Sequence, residues 1–143
     1  MPSGTQTVSK KSLWAGRIIS ALVIVFLVFD IVIKFVTPPP PPVVEAMAHL
    51  GWSPSLTPVL GIILLVSTAL YVIPITSVLG AILLTGYLGG AVATHLRVGD
   101  PLFSHVLFPT YLGVLLWGGL YLREPCLRAL LPLRSPKAPS EAQ

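Results

Sequence analysis

The chain has 143 residues, of which 54% are hydrophobic and only 10% charged, with a mean hydropathy of +0.86. Soluble domains carry about 25% charged residues, so this composition argues against a water-soluble globule and for a chain whose outward faces meet lipid. A single cysteine excludes an internal disulfide, a CxxC redox pair and a cysteine-built metal cluster within one chain. The net charge of +4 is concentrated beside apolar runs, which reads as membrane orientation rather than nucleic-acid binding.

Residues 1–12 form a short polar tail that carries Lys10 and Lys11. The first apolar run, roughly 13–36, is longer than the core of a secretory signal and no small-x-small cleavage site follows it, so it reads as an uncleaved span. Pro38 to Pro42 stops it, because proline lacks an amide hydrogen and fixes φ. The block predicts a polyproline II spacer. Val43, Val44, Met47 and Leu50 then recur at helical spacing and predict a short interfacial helix closed by Gly51.

No Asp, Glu, Lys or Arg occurs from Ala46 to Leu96, room for two spans and a turn. The second span reads as 55–73, with Pro58 in its first turn, where a missing amide hydrogen costs least. Pro74-Ile75-Thr76 marks the turn, 77–96 the third span, Arg97 to Pro101 a loop and 105–122 the fourth span. The fold class is therefore all-α: a four-helix transmembrane bundle over 13–124 with an interfacial helix between spans one and two. Residues 125–143 form a basic, proline-rich tail with Cys126 as a lone thiol.

Lys10, Lys11 and Arg17 flank the bundle on one side of the chain and Arg123, Arg128, Arg134 and Lys137 on the other, whereas the loops hold only Arg97. Four spans and the positive-inside rule predict a cell-membrane protein with both termini cytoplasmic. Trp14, Tyr71 and Tyr121 are then expected at the inner interface and Trp52 at the outer one. Small residues let membrane helices approach, so Gly86, Gly89 and Gly90 of span three are expected to pack on Gly113 of span four, with a homodimer face as the alternative.

The polar residues carry the functional signal. Asp30 and Lys34, four apart, share one face of span one and can pair. One reading has Lys34 snorkelling to the headgroups with Asp30 neutralising it. The other places Asp30, Lys34, Glu45, His49, His95 and Arg97 at one depth, as the polar lining of an outward-opening pocket floored by the span-three glycines. His49, His95, His105 and Glu45 carry no recognised metal-ligand spacing, and no nucleophile elbow or phosphate loop is present.

Phe29-Asp30-Ile31-Val32-Ile33-Lys34-Phe35, Val44 to Gly51, Leu60-Gly61, the long stretch from Val78 to Pro101 and Tyr121 to Pro132 resemble the DoxX-like family of small four-span membrane proteins. The resemblance covers roughly residues 14 to 132. Lys34 stands where the family closes its first span with lysine. Asp30 stands near a position that is commonly small in relatives, and Ile75-Thr76 where relatives often carry arginine. The family is named for a subunit of a thiosulfate:quinone oxidoreductase, and distant relatives look like assembly helpers. Neither role carries over residue by residue; the small size, the glycine-lined helix faces and the lack of a catalytic signature point to a non-enzymatic accessory or assembly subunit, with another membrane protein or a second copy as partner and no cofactor of its own. Its alternative is the membrane subunit of a quinone-linked oxidoreductase, in which Lys34, Asp30 and His95 offer a cation, a carboxylate and a proton shuttle to a quinone or another small hydrophobic ligand. Electron transfer would require a redox partner chain. A transporter is the weakest reading, since no inverted repeat or broken midplane helix is evident.

Overall fold

The computed structural model describes residues 9–130. Helix α1 (Lys10–Phe35) starts at Ser9, whose side chain accepts the Ser12 amide as an N-cap. The short α2 (Pro41–His49) begins inside the proline block, two residues before the expected start. Proline tolerates the first helical turn because those amides have no intrahelical acceptor. Helix α3 (Thr57–Val72) follows a 3-10 turn at Pro54–Leu56, and α4 (Ser77–Arg97) follows another at Pro74–Thr76. Helix α5 (Phe108–Arg123) is preceded by a π-helical turn at Leu102–Val106, where the fourth span was expected to begin. The tail does not start as loose chain. Pro125–Leu130 form α6, whose Leu127 is buried, and Arg128 reaches the Tyr121 and Leu122 carbonyls.

The four long helices are each apolar and long enough to cross a membrane. They form a square in which α1 lies against α3 and α5, and α4 against α3 and α5. Chain neighbours are antiparallel, as short connections require. On α1 the buried positions are Gly16, Ser20, Val23, Leu27 and Ile31, steps of three and four that make one stripe. Ile18, Leu22, Val25, Phe29 and Val32 fill the rest of the surface and are exposed, the arrangement expected of a helix bathed in lipid.

Close helix approach does occur through glycine, but not at the residues expected. A Cβ on Gly16 would lie 2.8 Å from the Gly119 carbonyl, and one on Gly119 would lie 2.7 Å from Ser20 Oγ, so α1 and α5 touch almost backbone to backbone. A Cβ on Gly80 would overlap the Tyr71 backbone where α3 meets α4. Gly86, Gly89 and Gly90 have nothing within 4 Å, and Gly113 meets only Leu88 Cδ1 at 3.8 Å. Spans three and four are neighbours, yet they are splayed at this level. A groove of about 500 Å³ lies between them, bordered by Gly89 and Gly113. Trp117 Nε1 bridges them instead, donating to Thr85 Oγ1 at 2.8 Å.

Tyr71 also departs from expectation. It is not an interfacial residue but one of the most deeply buried side chains, at 0% exposure. Its hydroxyl donates to the Leu116 carbonyl at 2.9 Å and lies 3.2 Å from Ser20 Oγ. Arg123 stacks over the ring at 5.0 Å and donates to the Tyr71 carbonyl. A hydroxyl that finds its partner inside the bundle lets the aromatic body join the core. Trp14 remains exposed, as expected of an interface residue.

Candidate functional site

The bundle is tight at the end where its termini meet and open at the α2 end. There a cavity of about 730 Å³ lies between α1, α3, α4 and α5 under α2. Its size falls within the about 300–1,000 Å³ range of small-molecule sites. Phe26, Leu27, Leu60 and Leu112 make apolar walls, and the rings of Phe26 and Phe108 meet edge-on at 5.5 Å to close one side. Gly86 and Gly90 border it. Their missing side chains give the cavity width, so they serve the site rather than a helix seam.

Asp30 and Lys34 lie on the cavity wall and are paired, with Nζ 2.5 Å from Oδ1. Lys34 is 16% exposed and Asp30 31%, so neither charge is fully in water. Each neutralises the other near the end of α1, where a lone charge costs less than at a span's centre but is still not free. Gly61 explains how they are seated. It lets the Lys34 stem and the Phe35 ring lie against α3, where a Cβ would come within 3.1 Å of Lys34 Cβ.

His95, also on the cavity wall, is held from outside it. Its Nδ1 lies 2.6 Å from Asp100 Oδ2, and Asp100 Oδ1 lies 2.7 Å from His49 Nε2. A carboxylate only accepts, so both imidazoles donate to it. The bonds from His95 first, and His49 second, hold the Asp100 carboxyl below the usual carboxylate range. Local backbone chemistry builds this contact. Gly99 takes φ +75° after α4, its amide reaches the Leu96 carbonyl and the Asp100 amide reaches the His95 carbonyl. This pair of bonds is a Schellman motif, and it folds Asp100 back beside His95.

The same motif closes α2. Gly51 takes φ +72°, with its amide on Ala48 and the Trp52 amide on Met47. Met47 and Trp52 are thereby brought together, and both line the cavity under α2. Thr57 also borders it. That residue is 2% exposed, and its hydroxyl has no hydrogen-bond partner among the described residues.

Of the six ligand candidates, the structure brings Asp30, Lys34 and His95 to one cavity and leaves three outside it. Glu45 is exposed on α2. His49 is exposed and bound to Asp100, and Arg97 donates to the Leu50 carbonyl at 2.5 Å. Both tie α2 to the end of α4, so they brace the roof of the cavity rather than line it. Sequence reasoning gave no site role to Asp100 or Thr57, nor to Tyr87 and Thr94 of α4, which also line the cavity. Asp100 was legible from the helix-ending Gly99 one residue before it; the others carry no signal that separates them from ordinary span residues. No cluster of three His, Cys, Asp or Glu side chains that could hold a metal occurs among the described residues.

The sequence pattern of the DoxX-like family matches residues 18–119, which include all four long helices in whole or in large part. The chain belongs to the DoxX-like family. The matched region contains the ion pair, the cavity and the His95–Asp100 contact, so the site lies within the DoxX-like domain. The α6 helix lies beyond the match. No curated protein and no solved structure matches the chain.

Proposed function

We propose that this multi-pass membrane protein binds a small, mostly apolar ligand in the cavity under α2, with the ligand's polar head toward Asp30, Lys34 and His95. The observation that carries this reading is an apolar cavity of about 730 Å³ whose wall contains a charge pair and an imidazole. Ionisable groups on an apolar wall within a membrane bundle are a default pointer to a functional site, even where they pair with one another. A quinone suits this lining: an isoprenoid-like tail along the apolar walls, and a carbonyl for the Lys34 ammonium. Electrons would come from a redox partner chain, which makes the protein a membrane subunit rather than an enzyme on its own.

The test is native mass spectrometry of the chain, extracted gently from its own membrane, beside a Lys34→Ala variant. A small molecule retained by the wild type and lost in the variant supports the reading. A wild type that carries only bilayer lipid, with no change in the variant, overturns it.

A role as an accessory or assembly subunit is the second reading, and the groove between α4 and α5 favours it. Gly89 and Gly113 leave a lipid-facing recess there of about 500 Å³, into which side chains of another membrane protein's helix fit. Cross-linking from a cysteine placed at Val114, exposed on the groove's edge, captures that partner; adducts with lipid alone count against it. In either reading the termini are assigned to the cytoplasm and α2 to the outer face of the cell membrane by the basic flanks. Fusion reporters at residue 143 and in the first loop decide that orientation.

A further inference from the structure

We propose that His95 is a proton acceptor for the cavity's ligand, tuned by Asp100 and His49, and that the ligand class is one bearing a weakly acidic hydroxyl, such as a phenol or quinol. The inference rests on the ligand-binding reading above and adds a chemistry to it. Because Nδ1 donates to Asp100, neutral His95 presents Nε2 as a lone-pair acceptor, and Nε2 has no hydrogen bond among the described residues. Once protonated, the imidazolium faces the Asp100 carboxylate at 2.6 Å, which stabilises it. The transfer is balanced as written: the ligand O–H bond breaks, an N–H bond forms at Nε2, and the ligand stays as an oxyanion on a wall that also carries Lys34. His95 is 24% exposed, so the proton passes on to water at the α2 end.

The charged and titratable groups around His95 fit that role. Asp100 holds it, and the His105 ring lies 6.0 Å away in the π-helical turn. Tyr87 on α4 itself and the Asp30–Lys34 pair on α1 share its cavity, and Arg97 is engaged by the Leu50 carbonyl. His49, on α2, is 59% exposed and shares the same carboxylate. It therefore competes with His95 for the charge of Asp100.

That competition gives the inference a signature of opposite signs. The probe is an alkylated 4-nitrophenol, whose phenolate is coloured, added to the full chain in nanodiscs. Bound to the wild type, it ionises at lower pH than in protein-free nanodiscs. In His95→Gln its ionisation moves up by about one pH unit, a tenfold loss of phenolate at a fixed pH. Asp100→Asn moves it up by less, and His49→Gln moves it down, because Asp100 then serves His95 alone. A merely structural role for these residues would not split the two positioning variants. A probe that binds but ionises alike in wild type and His95→Gln overturns the proton acceptor and leaves the ligand site standing. A probe that does not bind the wild type overturns both. Should His95→Gln or Asp100→Asn fail to fold, by circular dichroism, the exposed His49→Gln variant decides: a downward shift supports the inference, and no shift or an upward one overturns it.

Discussion

The two ends of the bundle use the same residue type for opposite purposes. Where the termini meet, Gly16 and Gly119 bring α1 and α5 into backbone contact, Gly80 admits the Tyr71 backbone, and Tyr71 fills the centre with its hydroxyl satisfied. At the α2 end Gly61 still seats Lys34 against α3, but a Cβ at Gly86 or Gly90 would meet nothing within 4 Å, and both border the cavity. Glycine in a membrane helix is therefore ambiguous: it marks either close approach or deliberate room. What decides between them is the neighbour. A glycine facing another helix's backbone closes the gap, whereas one with no neighbour within 4 Å leaves it open.

The sharpest way to break this contrast is to fill both kinds of glycine. Gly80→Leu drives a side chain into the Tyr71 backbone and is expected to cost about 3 kcal/mol or more, read as loss of the thermal transition in detergent. A Cβ at Gly90 meets nothing within 4 Å, so Gly90→Leu has cavity to enter. It is expected to leave the melting temperature near that of wild type while removing any retained small molecule, because it fills the cavity. A destabilised Gly90→Leu, or a tolerated Gly80→Leu, would erase the distinction between the two ends.

The next largest effect tests the charge pair. Asp30→Ala strands the Lys34 ammonium at the cavity wall, and for a part-buried pair the expected cost is about 2 kcal/mol, between the values for exposed and fully buried pairs. Adding Lys34→Met is expected to restore most of that loss, since the double variant leaves no charge behind. If Asp30→Ala costs nothing, Lys34 snorkels to the headgroups unaided and the pair is not part of a site.

At the tight end, Tyr71→Phe removes the hydroxyl that reaches the Leu116 carbonyl and Ser20. A net loss of about 1 kcal/mol is expected, seen as a lower melting temperature with no change in ligand retention.

The smallest effect is a pH dependence confined to the α2 end. The Asp100 carboxyl titrates below its ordinary value when folded, because His95 and His49 donate to it. The unfolded chain therefore takes up more protons across the carboxylate range, so this contribution is full above the ordinary carboxylate value and fades as the pH falls through the lowered one. Asp100→Asn is expected to flatten that acid limb of the stability profile. An unchanged limb would mean the bridge adds nothing.

Much of the bundle was legible because periodicity, proline and glycine act locally. Four apolar runs, the Pro74 turn and the glycines that end α2 and α4 place the helices to within a few residues. Asp30 and Lys34 were legible as sharing one face of the first span, since four residues on a helix set that spacing, but their pairing was not, because it depends on rotamers and on how the helix is turned. The meaning of Gly86 and Gly90 was not, because it depends on which residues of α1, α3 and α5 stand opposite, and single-chain spacing does not encode that. Tyr71 was misplaced for a related reason: a tyrosine near a span end suits an interface, and only the Leu116 carbonyl and Ser20 hydroxyl facing it turn it inward. His49 and Arg97 were placed at the right level but in the wrong role, since the Asp100 and Leu50 acceptors come from chain segments about fifty positions away.

Helix α1, like the other long helices, takes part in both ends, with Gly16 and Ser20 in the tight contact and Asp30 and Lys34 on the cavity wall. Fourteen residues separate Gly16 from Asp30, about 21 Å along a stiff rod at 1.5 Å per residue. Such a rod works as a lever whose fulcrum is the Gly16–Gly119 contact. Adding a methyl group at the fulcrum tips the far arm and swings the charge pair relative to His95. A ligand held as proposed is therefore expected to respond to a change at Gly16, a residue at the other end of the bundle that it never meets.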